Sequence, residues 1–154
     1  MEGMSILKQA ATALDIRLSP EQLAAFDRYA RELGEWNQRV NLTTVAEYDE
    51  VQIRHFLESL LPLAALRKVG WSPPCAVQPR PQPNWPTGRA LRCADVGSGA
   101  GFPGLPLKIV CPAWGLVLVE SVGKKVQFLR HMVAALGLVD VVVEQARAEE
   151  IGHQ

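Results

Sequence analysis

No apolar run in the 154 residues approaches the roughly 20 needed to cross a bilayer. The opening stretch, MEGMSILKQAATALDIRL, lacks a continuous signal-type apolar core and includes Asp15 and Arg17. These two absences predict a protein that stays in the cytoplasm and avoids membranes. Net charge is missing as well, since 16 basic residues balance 16 acidic ones. That balance argues against bulk attraction to nucleic acid and leaves only a local basic patch as a means of holding it. Cysteine is scarce: Cys75, Cys93 and Cys111 form an odd set with no close C-x-x-C pair. His55, His131 and His153 have no metal-ligand spacing. The expectation is reduced thiols and no metal site. There are no internal repeats.

What is present suits one folded domain. Apolar residues make up 48% and charged residues 21%, enough for a core and ordinary for a globular chain. Texture divides the sequence into three regions, at 1–69, 70–89 and 90–154. The first is helical. Ser19-Pro20-Glu21-Gln22 reads as a helix start, with Ser19 as cap, Pro20 in the first turn and Gln22 completing a capping box. Leu23, Phe26, Ala30 and Leu33 then share one face. A second helix is predicted from Tyr48 to about Lys68, with Val51, Leu57, Leu60, Leu61 and Ala64 inward and a kink at Pro62. Region 70–89 holds six of the eleven prolines and few aliphatic residues, and reads as an extended linker or insertion. Trp71 and Trp85 would anchor its ends or belong to a binding surface.

From Ala90 the pattern becomes strand, glycine turn, helix, strand, helix, strand. Residues 90–96 and 116–120 read as buried strands, and 139–144 as a third. A helix near 103–110 and another at 124–136, closed by Gly137, separate them. Alternating apolar strands and helices predict an α/β fold with a parallel sheet covered on both faces.

The loop from Asp95 to Gly101, DVGSGAG, carries the chemistry. Closely spaced glycines between a strand and a helix let backbone amides approach a ligand. Gly99, Gly101 and Gly104 fit G-x-G-x-x-G, a dinucleotide fingerprint that is weak alone. The phosphate loop G-x-x-x-x-G-K-[ST] fails, because Leu105 and Pro106 follow Gly104. Asp95 separates the surviving readings: a carboxylate at the strand end repels a pyrophosphate but suits the ammonium of a methionine moiety. Glu120, ending the next strand, can accept both hydroxyls of a ribose. Together they favour S-adenosylmethionine over NAD, with a purely structural turn behind both. Ala148 and Glu149 follow the third strand beside the same crevice. They either border an adenine or, as solvated charge at a helix start, do nothing.

Five strings carry a resemblance. They are Trp36-Asn37 with Val40-Asn41-Leu42-Thr43; Arg54-His55-Phe56-Leu57-Glu58-Ser59; DVGSGAGFPGLPLKIV from Asp95 to Val110; Glu120-Ser121 with Gly123-Lys124-Lys125 and Phe128-Leu129; and Arg147-Ala148-Glu149-Glu150. In this order, over about residues 18–151 apart from the proline-rich segment, the sequence resembles ribosomal RNA small subunit methyltransferase G, the glucose-inhibited division protein B family. The glycine loop followed by F-P-G-x-P is far more specific than a generic methyltransferase loop.

The resemblance implies a Rossmann-like S-adenosylmethionine-dependent methyltransferase fold preceded by N-terminal helices. It implies methylation of N7 of a guanine in 16S ribosomal RNA, with that RNA or the small ribosomal subunit as partner, by a protein expected to be a monomer. It assigns cofactor contacts to Gly97, Phe102, Glu120, Ala148 and Glu149, beside Asp95, Gly99 and Gly101 of the loop. Arg54 and His55 would stand near the pocket, and Lys124 and Lys125 near RNA phosphates, although two lysines opening a helix are ordinarily just solvated. No residue is assigned as catalytic: guanine N7 has a free lone pair, and the enzyme has mainly to align it and exclude water.

Two departures matter. Glu58 stands where the family usually has Asp. The family fold continues with four more strands, including an arginine-containing segment beside the cofactor, and the sequence ends at Gln154. Residues 90–154 would then be the N-terminal half of the methyltransferase domain, with an apolar edge open at the Asp95 strand. The expected result is a marginal fold and poor or absent activity. An inactive truncated remnant is the alternative, with an NAD-binding oxidoreductase fragment behind it.

Overall fold

A computed structural model describes residues 3–70 and 91–151. The proline-rich segment, with Trp71 and Trp85, lies almost wholly outside the described residues. In chain order come α1 (Ser5–Ala13), α2 (Pro20–Val40), α3 (Tyr48–Val51), a π-helical segment (Gln52–Leu57), α4 (Glu58–Lys68), β1 (Arg92–Val96), α5 (Gly104–Val110), β2 (Gly115–Glu120), α6 (Gly123–Ala135), β3 (Val141–Gln145) and α7 (Ala148–Ile151). The strands form one parallel sheet in the order β1-β2-β3, with Asp95 opposite Leu118 and Glu120 opposite Gln145.

The start of α2 follows from its sequence. Ser19 Oγ accepts from the Gln22 amide at 3.2 Å, and Gln22 Oε1 accepts from the Ser19 amide at 2.9 Å. The Gln22 side chain then does a second job. Its Nε2 donates to the carbonyls of Ile109 and Val110 at 3.1 and 3.2 Å, closing the last turn of α5, which would otherwise end in unpartnered oxygens. Gln22→Ala therefore removes a cap and a tertiary bridge at once. It is expected to lower stability by about 1–2 kcal/mol. An unchanged urea midpoint would count against this account.

One core runs through the described residues. Phe26, Tyr29 and Leu33 of α2, Phe56, Leu60 and Leu63 further on, Leu105 of α5, Leu118 of β2 and Phe128 and Met132 of α6 belong to a single buried cluster. The N-terminal helices thus pack on the helical layer of the sheet, through α2 against α5 and α6 and α4 against α5.

Three expectations need correction. The sheet is covered on one face only among the described residues. β1 alternates between exposed Arg92, Ala94 and Val96 and half-buried Cys93 and Asp95, and Val142 of β3 is exposed as well. α5 packs on β1 and β2 and α6 on β2 and β3, and right-handed crossovers running in one direction along β1-β2-β3 put both helices on one face, which accounts for the alternation. β1 is an edge strand. Leu61, expected inward, is 46% exposed, while Phe56 and Leu63 are buried. The π-helical segment is the reason: its wider turn advances the phase, so a face projected at 3.6 residues per turn no longer fits beyond it. Finally, Cys93 is a free thiol as expected, but Cys111 is disulfide-bonded.

Candidate functional site

The carboxyl ends of β1 and β2 are knotted together by the glycine loop. The amides of Gly97 and Ser98 both donate to the carbonyl of Val119, at 2.8 and 3.0 Å, and Ser98 Oγ donates back to the carbonyl of Asp95 at 2.8 Å. Gly97, Gly99 and Gly101 all have positive φ, at 76°, 59° and 97°. The loop then passes to α5 so closely that a Cβ on Gly104 would lie 2.7 Å from both Asp95 Oδ2 and Leu118 Cδ2. Only glycine permits that approach of helix to sheet.

Two carboxylates hold this loop. Asp95 Oδ2 accepts the Gly104 amide at 2.8 Å, at the start of α5. Glu120 Oε2 accepts the Gly99 amide at 2.8 Å and its Oε1 the Val122 amide at 2.9 Å. Their proton affinities move in opposite directions. Burial, with a smaller push from the Glu120 charge, raises Asp95 above the ordinary carboxylate range despite the Gly104 amide. Burial pushes Glu120 up too, but the amides of Val122 and Gly99 and the Lys125 ammonium outweigh it and leave Glu120 below its ordinary value.

An open cleft of about 520 Å³ lies at the strand ends, bordered by Val96, Gly97, Val119, Ser121 and the turn 146–149. This places Gly97, Ala148 and Glu149 of the sequence-predicted residues around one space. Glu120 is buried just behind Ser121, and Gly99 hangs from it. Asp95 borders a different cavity, about 220 Å³ between β1 and α5, together with Cys93, Pro103, Gly104 and Lys108. The buried Lys108 ammonium there donates to the carbonyls of Pro112 and Trp114.

Phe102, in the turn that follows the glycine loop, belongs to an aromatic column. Its ring is stacked against His55, at 4.4 Å and 7°, and against Tyr29, at 5.4 Å and 14°. The column is braced at both ends. Tyr29 Oη donates to the Ala100 carbonyl at 2.5 Å. His55 Nε2 lies 2.9 Å from Thr43 Oγ1 and 3.2 Å from the Val45 carbonyl. Asn37 Oδ1 accepts the Thr43 amide at 2.9 Å. Arg54 is exposed beside His55, Lys124 is exposed on α6, and Lys125 is half-buried with its charge acting on Glu120.

Sequence reasoning missed Tyr29 and Thr43. Tyr29 lies beside Ala30 of the predicted inward face, and only its hydroxyl marks it out. Among the described residues no three His, Cys, Asp or Glu side chains converge as a metal site, and no helix is long and apolar enough to cross a membrane.

A parallel α/β unit with a glycine loop and a cleft outside its strand ends defines a Rossmann-like, nucleotide-binding class of fold. Within that class the match is specific: the family model described as rRNA small subunit methyltransferase G aligns to residues 22–70 and 84–154. The chain belongs to that family. Proteins named ribosomal RNA small subunit methyltransferase G are similar to it. The one from Roseiflexus castenholzii is 46% identical over 150 residues, covering 97% of this chain and 56% of the relative. That from Dehalococcoides mccartyi is 40% identical over 148 residues, 96% of this chain and 54% of the relative. That from Lactococcus lactis is 34% identical over 144 residues, 94% and 53%. The chain spans about half the length of the curated relatives it matches.

Proposed function

We propose that this chain holds the S-adenosylmethionine-binding part of a methyltransferase acting on N7 of a guanine in 16S ribosomal RNA, as a cytoplasmic monomer whose partner is that RNA or the small ribosomal subunit. Residues 1–69 then form a helical region that braces the site, and 90–154 form the N-terminal half of the methyltransferase domain. The observation that carries this reading is the cleft at the strand ends, where Gly97 faces the turn 146–149 and Glu120 lies adjacent.

The residues fit the cofactor. A Cβ on Gly97 or Gly99 would meet nothing within 4 Å, so the loop backbone has open space before it for a ligand. Each Glu120 oxygen accepts one amide and keeps lone-pair capacity for a ribose hydroxyl. Ala148 and Glu149 line the cleft and would border a base held there. When bound, the cofactor supplies an electrophilic methyl group on a sulfonium. The chain has to orient that group, hold the guanine in line with it and keep water out. Since N7 of guanine is unprotonated at neutral pH, no general base is required, and Asp95 serves to hold the loop through the Gly104 amide rather than to transfer a proton.

A thermal-shift comparison tests the cofactor. S-adenosylhomocysteine at about a hundredfold over its Kd is expected to stabilise the chain by about 2.7 kcal/mol, which is a rise of roughly 5–10 °C for a domain of this size. NAD at the same concentration is expected to leave the melting temperature unchanged. A shift with NAD and none with S-adenosylhomocysteine reverses the assignment.

A further inference from the structure

The aromatic column beside the glycine loop includes a ring that is not fully buried, that of His55. Phe102 is stacked against both His55 and Tyr29. Tyr29 is fully buried. His55 is half-buried, stacks on Phe102 with one face, and meets no other ring among the described residues.

Its surroundings read as a mounting. The π-helical segment carries His55 out of α-helical phase, and such segments occur frequently at functional positions. The Nε2 edge of the ring is held between Thr43 Oγ1 and the Val45 carbonyl. Thr43, itself tied to Asn37, holds the ring edge. Asn37, Thr43 and His55 come from segments separated by a helix boundary, yet together they hold one imidazole flat against the residue that follows Gly101. Arg54, next in sequence and exposed, adds a cation for a phosphate. A flat ring, an anchored ring edge and a neighbouring arginine suit the way splayed bases of single-stranded RNA are held.

On the reading of this chain as an RNA methyltransferase, we propose that the outer face of His55 is the stacking platform for the acceptor base, so that the column Tyr29–Phe102–His55 sets the base against the cofactor loop. His55 is then a positioning residue that fixes the plane of the base. Burial lowers its proton affinity and keeps the imidazole neutral near physiological pH, so stacking rather than charge is what it offers.

Two titrations of the full chain decide this: a short fluorescent single-stranded RNA with one guanine, followed by anisotropy at fixed salt, and S-adenosylhomocysteine, followed by calorimetry. His55→Ala is expected to weaken RNA binding by about tenfold or more, the range for loss of a base–aromatic stack. His55→Phe keeps the platform and is expected to restore binding to within about threefold of the unmodified chain on the same basis. Neither change is expected to alter S-adenosylhomocysteine affinity. RNA binding that is the same with and without the His55 ring overturns the proposal, as does a phenylalanine variant as weak as the alanine one. Equal losses for both ligands in His55→Ala would mark a merely structural histidine. Failure of the unmodified chain to bind S-adenosylhomocysteine, with RNA binding still dependent on the ring, would instead sink the methyltransferase reading.

Discussion

Gly101→Ala is expected to lower the stability of this chain by about 2–6 kcal/mol, the sum of a backbone cost of about 1–3 kcal/mol and an overpacking cost of about 1–3 kcal/mol. The backbone cost arises because φ is 97° at this residue, outside the wells that L-residues adopt readily. The overpacking cost arises because an added methyl carbon would lie 2.5 Å from Leu105 Cδ1 and 2.6 Å from Tyr29 Oη. Neither neighbour can yield cheaply. Leu105 and Tyr29 are both fully buried, and the Tyr29 hydroxyl is committed to the Ala100 carbonyl. Since domains of this kind are stable by only about 5–15 kcal/mol, much of the total is at stake.

Gly99→Ala is the control. Its φ of 59° lies in the left-handed well, and an added Cβ meets nothing within 4 Å. The expected loss is only about 1 kcal/mol. Urea melts of the two variants give the comparison. If Gly101→Ala proves no worse than Gly99→Ala, then α2 does not brace the loop as described.

The same region shows what was legible beforehand. Local signals sufficed for the capping box at Ser19, for the glycine turn, and for the parallel order of strands, because each depends on residues close in sequence or on an apolar run long enough to declare itself. Glu120 was also readable, since an acid ending a second parallel strand lies beside the first loop by topology alone. Its double hold on the Gly99 and Val122 amides was not, because a backbone amide leaves no mark in the sequence. Leu61 was placed inward by a helical period that the π-helical segment breaks, and nothing in Gln52–Leu57 announces the wider turn. The sheet read as covered twice because its strands are apolar throughout. In the structure the helices on both sides of β2 fall on one face, leaving Val96 and Val142 in the open. Tyr29 was hidden for another reason. At helical spacing a tyrosine facing inward looks like packing, and only the distance to Ala100, 71 residues away, gives its hydroxyl a purpose.

Glu120→Ala is expected to reduce S-adenosylhomocysteine affinity by more than about a hundredfold. The estimate rests on two charge-assisted hydrogen bonds to ribose hydroxyls at about 1.5–3 kcal/mol each, converted at 1.4 kcal/mol per tenfold. The loss is compounded in the loop, where the Gly99 amide is left without its acceptor. Glu120→Gln separates charge from shape. A glutamine offers one oxygen and one NH2, and the NH2 must face an amide donor, either Gly99 or Val122. The amide variant is therefore expected to bind nearly as poorly as the alanine one. Acid should act in the same way. Glu120 has a lowered proton affinity in the folded chain, so its stabilising contribution is present above the ordinary carboxylate range and fades as pH falls through its depressed value. Asp95 has the opposite sign: its raised value means that its contribution is complete at low pH and is lost as pH rises past the ordinary range. Because Glu120 is one of the charges raising Asp95, Glu120→Gln should also shift the Asp95 loss to lower pH. Calorimetric titrations at neutral pH, with urea melts across the carboxylate range, read both effects. A glutamine variant that binds S-adenosylhomocysteine within about threefold of the unmodified chain, a difference of only about 0.7 kcal/mol, would show that the carboxylate braces the loop without touching the ligand.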